Sequence, residues 1–307
     1  MRVVFLGTPA WAVPSLEALR RGPFDVAAAV TNPDKPAGRG MLQRSPPVKL
    51  AAERLDIPLQ QPPSARAPEF ASWLRSVAPD VAVVVAYGKL LPAEVLDIPA
   101  KGFVNLHFSL LPSYRGAAPV QRAIMNGEAV TGASIMVLTE GMDEGPVVAS
   151  QSVDIAPEET AGELGDRLAE SGARLLVDTL PGYVDGSIVP VEQDDAAATY
   201  AAKITTEEAR IDWTRPARRV HDLVRGLNPA PGAWTTVGDA RLKIWRSEVA
   251  ALGETLAPGE VSAGKELIAG TGEGALILSE VQLAGKKKMS GADLARGLRM
   301  APGTRFG

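Results

Sequence analysis

The sequence predicts an α/β fold, with a mostly parallel open sheet followed by a second, small β-barrel domain, and three observations carry that prediction. Apolar runs alternate with helix-spaced segments through the first half of the chain. One of them, 81–86 (VAVVVA), is apolar throughout, as suits a strand buried on both faces of a parallel sheet. The apolar period fades from 190 to 207, a stretch rich in Ala, Asp, Gln and Thr. Beyond it, short strand-like runs separated by Gly, Pro and Asp follow closely, the pattern of a small barrel. The expected domains are therefore 1–189 for the α/β part, 190–207 for a linker and 208–307 for the barrel.

In chain order, 3–6 is a short apolar strand ending at Gly7, and 11–20 has helical spacing. Residues 26–30 form the next strand, 48–55 a helix and 81–86 the buried strand. Residues 103–108 and 134–138 are further strands, with 120–126 helical between them. Residues 159–180 form one long amphipathic helix. Strands alternating with helices argue for parallel pairing, with ligands beyond the carboxyl ends of the strands. After the linker come a short helix, 217–226, and strand-like runs at 233–237, 241–247, 260–261, 267–269 and 276–283. No internal repeat is present.

Composition narrows the function classes. The 307 residues are 46% hydrophobic and 22% charged, enough apolar material for two domains with a sizeable core in the larger. Cysteine is absent, which removes disulfides, thiol nucleophiles and cysteine-ligated metals. With only His107 and His221, no metal is expected. The opening MRVVFLGTP lacks the pattern of a signal peptide, and no apolar run reaches the roughly 18 residues of a membrane helix. A soluble, cytoplasmic, monomeric protein away from membranes is expected. FLGTP carries one glycine rather than Gly-x-Gly-x-x-Gly, and no Gly-Lys-Ser/Thr phosphate loop occurs. Nicotinamide and nucleoside-triphosphate chemistry therefore lack support. Net charge is −4, but residues 208–307 carry +4 and the remainder −8, a hint of a polyanionic partner.

The most informative strand is Phe103-Val104-Asn105-Leu106-His107-Phe108. Side chains alternate along a strand, so Asn105 and His107 share a face. An Asn amide can donate to a developing oxyanion, and a His can give or take a proton near neutral pH. On these six residues alone, a satisfied core histidine beside a turn-forming Asn is an equally open reading. Asp143, in the glycine-flanked loop Gly141-Met142-Asp143-Glu144-Gly145, stands where site residues gather, and could orient His107 or decorate the surface.

Four stretches carry a family resemblance. FLGTPAWAVPSL at 5–16 resembles the amino-terminal signature of folate-dependent formyltransferases of the methionyl-tRNA type, and NLHFSLLPSYRGAAPVQRAI at 105–124 resembles their central signature. TGASIMVLTEGMDEGPVV at 131–148 is similar to the region holding the family's aspartate, and AKITTEEARIDW at 202–213 to the entry of the second domain. The resemblance spans essentially the whole chain. It implies a Rossmann-like formyltransferase domain at 1–189 and an OB-like, tRNA-contacting barrel. It further implies that Asn105, His107 and Asp143 form the catalytic triad. Ser109, Leu110, Leu111 and Pro112 would line the site for 10-formyltetrahydrofolate, with residues 84–91 nearby; a largely apolar slot suits a pterin ring.

The implied reaction moves the formyl group of this reduced folate to the α-amino group of initiator methionyl-tRNA. Residues 35–49 read KPAGRGMLQRSPPVK, with Lys35, Arg39, Arg44 and Lys49 and no acid, and resemble the family's tRNA-engaging loop. The chain departs from many relatives in having Met41-Leu42 at a common lysine pair and Ser113 at a common arginine, which bears on how tightly the loop grips. Lys286, Lys287 and Lys288, in the hairpin-like GKKKMSG, are further expected tRNA contacts. His221 is expected to be structural. Competing readings are another formyltetrahydrofolate-using transferase or hydrolase, and a non-catalytic RNA-binding protein on the same scaffold.

Overall fold

Seven strands make the main sheet of the computed structural model, whose described residues are 1–37, 42–251 and 256–307. They are β1 (Arg2–Gly7), β2 (Asp25–Val30), β3 (Leu59–Gln60), β4 (Val81–Val85), β5 (Phe103–His107), β6 (Val130–Val137) and β7 (Val147–Asp154), in the spatial order β7-β6-β5-β4-β1-β2-β3. The five strands from β3 to β5 pair in parallel, and β6 runs antiparallel to β5. Every residue of β4 and β5 is buried, which is why β4 reads as an uninterrupted apolar run.

The chain winds outward from β1 to β3 and then crosses back to β4, so its direction of winding reverses between β1 and β4. Ligand crevices form outside the carboxyl ends of strands at such reversals. Val30, Leu6, Val84 and Asn105 lie in one register row across β2, β1, β4 and β5. Asn105 therefore sits level with the last turns of the central strands, and His107 at the rim just beyond.

The chain separates into two compact units. The first comprises Met1–Gly116, Thr131–Val153 and Gly165–Tyr200, and the second Ala117–Val130, Asp154–Leu164 and Ala201–Gly307. The second unit holds β8 (Ala233–Val237), β9 (Ala240–Val249), β10 (Val261–Ala263), β11 (Leu267–Gly270), β12 (Ala275–Leu283) and β13 (Met289–Ser290), all antiparallel. Their order is β8-β9-β12-β11-β10, with β13 on β12. The last residues join the two edges. Phe306 bridges to Val237 of β8, Arg305 to Glu260 beside β10, and the Gly307 and Thr236 backbones bond each other at 3.0 and 3.1 Å. That tail closes the sheet into a barrel and covers edges that would otherwise stay unpaired. Trp213, Val220, Leu242, Ile244, Leu276 and Phe306 belong to its core.

The units do not follow a single cut in the chain. The Pro119–Asn126 helix belongs with the barrel, packed on the Ala217–Gly226 helix. Gly226 permits the approach, since a Cβ there would stand 2.7 Å from Met125 Cγ. Arg219 Nη1 completes the contact by donating to the Asn126 carbonyl at 2.8 Å.

Most expected elements are present, with shifted ends. The long helix runs Ala161–Asp185, and the strand expected at 134–138 is the longer β6. The Pro68–Val77 helix, β3, β7 and the Gly291–Leu298 helix were not foreseen. Residues 190–207, read as a linker, are tied down. Val191 bridges to Val147, Asp195–Ala197 is a 3-10 turn, and Tyr200–Ala201 pairs with Arg115–Gly116.

Candidate active site

Strand β5 presents Asn105 and His107 on one face, about 6.6 Å apart along the strand by its rise. Both are nearly enclosed, at 9% and 6% exposed. Among the described residues the Asn105 amide has no hydrogen-bond partner, although its neighbours Val104 and Leu106 are packed in the core. Its N–H donors are therefore open to a group that enters the site.

His107 is held more tightly. Its Nε2 lies 2.9 Å from the Tyr114 carbonyl. A carbonyl only accepts, so Nε2 carries the proton and Nδ1 is the free basic nitrogen. Tyr114 makes the bond possible by adopting a left-handed backbone, φ 62°, which turns its carbonyl back toward the strand. Nδ1 faces Asp143 Oδ2 at 3.6 Å, beyond hydrogen-bond length but within ion-pair range. A lone pair against a carboxylate is repulsive until it takes a proton, and attractive afterwards.

Asp143 sits in a tight loop after β6. Its own backbone is left-handed, φ 54°, which costs a residue with a Cβ about 1–2 kcal/mol. Gly145 has to be glycine, because a Cβ there would lie 1.9 Å from the Val137 carbonyl. The carboxylate is fixed by the Gly116 N–H, which donates to Oδ2 at 2.9 Å. His107 and Asp143 are thus positioned by neighbouring residues of one turn, Tyr114 and Gly116. The structure brings these two together as expected and leaves Asn105 beside them on the strand.

The segment expected to line the folate slot is divided. Ser109 is fully buried, its hydroxyl donating to the Ser113 carbonyl at 2.6 Å, while Ser134 Oγ donates to the Ser109 carbonyl at 2.8 Å. It shapes the turn from below. Leu110, Leu111 and Pro112 are half-buried and keep apolar surface open. In the 84–91 segment Leu90 is 70% exposed, while burial pushes the Tyr87 phenol up to about 12 and keeps it neutral. Among the described residues, no cluster of three or more His, Cys, Asp or Glu side chains suits a metal ion, and no helix is long and apolar enough to cross a membrane.

The expected tRNA contacts differ in their freedom. Arg39 lies outside the described residues. Arg44 is exposed on the short ribbon Lys35–Ala37/Leu42–Arg44. Lys49 donates to Asp34 Oδ2 at 2.7 Å, and bonds from Gln61 and Lys49 hold that carboxyl below its usual range. Lys288 pairs with Glu280 at 2.9 Å and lies 4.5 Å from the Trp245 ring centre, whereas Lys286 and Lys287 are exposed. His221 is buried between Ser247 Oγ and the Pro157 carbonyl. Sequence reasoning did not find Arg115, Gln193 or Thr199, whose side chains surround the turn. Arg115 lies within the central signature but was given no role there, and Gln193 and Thr199 lie outside any motif or apolar period.

Similarity to known proteins points the same way. A model of the amino-terminal formyl transferase domain matches residues 1–180, and one of the formyl transferase carboxyl-terminal domain matches 203–299. A methionyl-tRNA formyltransferase of Streptomyces coelicolor is 50% identical, with 100% of both chains covered. Among solved structures, an N-formyltransferase from Helicobacter canadensis with folinic acid and dTDP-3-aminofucose superposes at TM-score 0.67 and 17% identity, covering 94% of this chain and 99% of that one. A methionyl-tRNA formyltransferase from Clostridium thermocellum superposes at 0.57 and 17%, covering 88% and 100%. At those identities the structures speak for the fold.

Proposed function

We propose that this chain, which belongs to the formyl transferase family, transfers the formyl group of 10-formyltetrahydrofolate to the α-amino group of initiator methionyl-tRNA. The observation that carries the choice of acceptor is 50% identity, end to end, with a methionyl-tRNA formyltransferase.

The geometry supports the chemistry. The substrate amine attacks the formyl carbon of 10-formyltetrahydrofolate, the carbon–N10 bond then breaks, and tetrahydrofolate leaves with a proton on N10. Asn105 donates its unused amide N–H to the formyl oxygen as that oxygen gains charge. His107, its Nε2–H fixed on Tyr114, takes the amine's proton at Nδ1. Asp143 then faces an imidazolium at 3.6 Å and stabilises it. The α-amine of an aminoacyl ester is close to neutral in pKa and needs less activation than a lysine. Leu110, Leu111 and Pro112 line the folate slot, with Ser109 bracing it from beneath. Arg39, Arg44, Lys49, Lys286 and Lys287 contact the tRNA, with Lys288, already paired with Glu280, beside them. The same reading divides the sequence into a catalytic domain (1–189), a linker (190–207) and a tRNA-contacting barrel (208–307), acting as a cytoplasmic monomer.

The test is transfer of labelled formyl from 10-formyltetrahydrofolate to charged initiator methionyl-tRNA, elongator methionyl-tRNA, an amino-sugar nucleotide, or water. Preferential labelling of the initiator species is expected. Transfer to the sugar, or hydrolysis without an acceptor, would assign the site to a different branch of the family.

A further inference from the structure

We infer that Gln193, with Thr199, is a positioning residue for the reaction, clamping the Asp143 loop and the His107 turn to each other. This rests on the reading of Asn105, His107 and Asp143 as the catalytic groups. Gln193 is half-buried in the stretch after the long helix. Its Nε2 donates to two carbonyls of the aspartate loop, Asp143 at 2.9 Å and Gly145 at 2.7 Å. One amide nitrogen carries two hydrogens, so both bonds form together and bracket Glu144. Its Oε1 accepts from Arg115 Nε at 3.0 Å.

Arg115 is the pivot. It follows Tyr114, whose carbonyl holds His107 Nε2, and precedes Gly116, whose N–H holds Asp143 Oδ2. Its guanidinium is buried and also donates to Asp195 Oδ1 at 2.8 Å. Thr199 secures the backbone on either side of the Tyr114–Arg115 peptide. Its Oγ1 accepts from the Tyr114 N–H at 2.8 Å, and its carbonyl accepts from the Arg115 N–H at 2.9 Å. Three residues from one seven-residue stretch thus reach both partners of the imidazole.

The clamp has a physical task. Tyr114 and Asp143 both hold left-handed conformations that side-chain-bearing residues adopt only when their surroundings impose them. A charge about 1 Å out of place weakens catalysis without touching substrate. Gln193 fixes the Asp143 backbone, while Gly116 fixes its carboxylate. Asp143 thereby keeps to Nδ1 and cannot swing toward solvent.

Gln193→Glu separates the two halves of the clamp. It retains an acceptor for Arg115 but cannot donate to the carbonyls. Gln193→Glu is expected to lower kcat on the order of 10–10²-fold with KM for folate and for tRNA within about threefold. Gln193→Ala should do at least as much. Thr199→Val should lower kcat and Thr199→Ser restore it. Because the chain has two histidines, a second readout is available: proton NMR of the imidazoles gives two titrating signals at most. His107 should shift its titration in Gln193→Glu, while buried His221 keeps its own and serves as the folding control. Asp143→Asn separates the outcomes. If Asp143→Asn retains activity, the catalytic reading is wrong. If Asp143→Asn is inactive while Gln193→Glu matches the parent in kcat and in His107 titration, the clamp is wrong and the catalytic reading stands. Equal loss of kcat and of folate affinity in Gln193→Glu would likewise overturn positioning, because it would mean the slot itself had collapsed.

Discussion

Asn105 and His107 share a strand face yet stand in different electrostatic situations, which fixes what each variant should do. The Asn105 amide has no partner among the described residues and offers donors to whatever enters the site. Asn105→Ala should lower kcat about 10²–10³-fold, the usual cost of one oxyanion donor, with folate affinity nearly unchanged. Equilibrium folate binding beside single-turnover transfer checks this, and turnover within about threefold of the parent would remove Asn105 from the mechanism. His107 has one nitrogen engaged by Tyr114 and the other facing Asp143. His107→Ala should cost roughly 10²–10⁴-fold and erase the limb of the pH–rate profile that its titration sets. A variant profile of the parent's shape would move the proton to water or to Asp143.

At the scale of elements, the long helix shows how a local motif sets a boundary. Thr160 and Glu163 form a capping box at its start: the Thr160 N–H donates to Glu163 Oε2 at 2.9 Å, and the Glu163 N–H donates back to Thr160 Oγ1 at 3.3 Å. Arg246 of β9 also donates to Glu163. The Thr160 bonds and then Arg246 hold the Glu163 carboxyl down from its ordinary 4.5 to about 2. A depressed folded pKa contributes stability that is fully present above about 4.5 and lost as pH falls toward about 2. The side chain is half exposed, so solvent screening leaves roughly 1 kcal/mol. Glu163→Gln should therefore lose about 1 kcal/mol at pH 7 and converge with the parent as pH falls from about 4.5 toward about 2, as read from urea unfolding. A constant difference across that range would exclude the charge as the cause. Strands β4 and β5 are legible in the sequence, since most of their residues are apolar and all are buried. Strand β7 was not legible because it is an edge strand with half its residues exposed, so Ser150, Gln151 and Ser152 break the apolar signal. His107 and Asp143 could be picked out by chemistry and resemblance. Their supports could not, because Tyr114 and Gly116 act through backbone atoms. Gln193 and Thr199 act from a stretch whose polar composition reads as slack.

Across the whole molecule, charge separates the parts more sharply than composition does. Residues 208–307 carry +4 against −8 for the rest, so a polyanion is drawn to one part of the chain and repelled by the other. Within the barrel the three consecutive lysines are not equivalent. Lys288 is neutralised by Glu280 and lies over Trp245, so its charge is already spent within the fold. Lys286 and Lys287 are exposed and, among the described residues, form no ion pair. If these two meet phosphate in the proposed complex, replacing both with Ala should raise KM for tRNA severalfold at moderate salt. It should also flatten the plot of log(kcat/KM) against log salt by about one to two units, one counterion-release contribution per lost contact. Lys288→Ala should leave that slope nearly intact and instead lower the barrel's thermal stability, since it removes an ion pair and a cation–π contact. Folate affinity should not change in either variant. A salt slope that drops equally for Lys288 and for the pair would mean that the run acts as one diffuse field. An unchanged slope in the double variant would move the tRNA track off this turn altogether, leaving the 35–49 segment, where Arg44 is exposed, as the next place to measure.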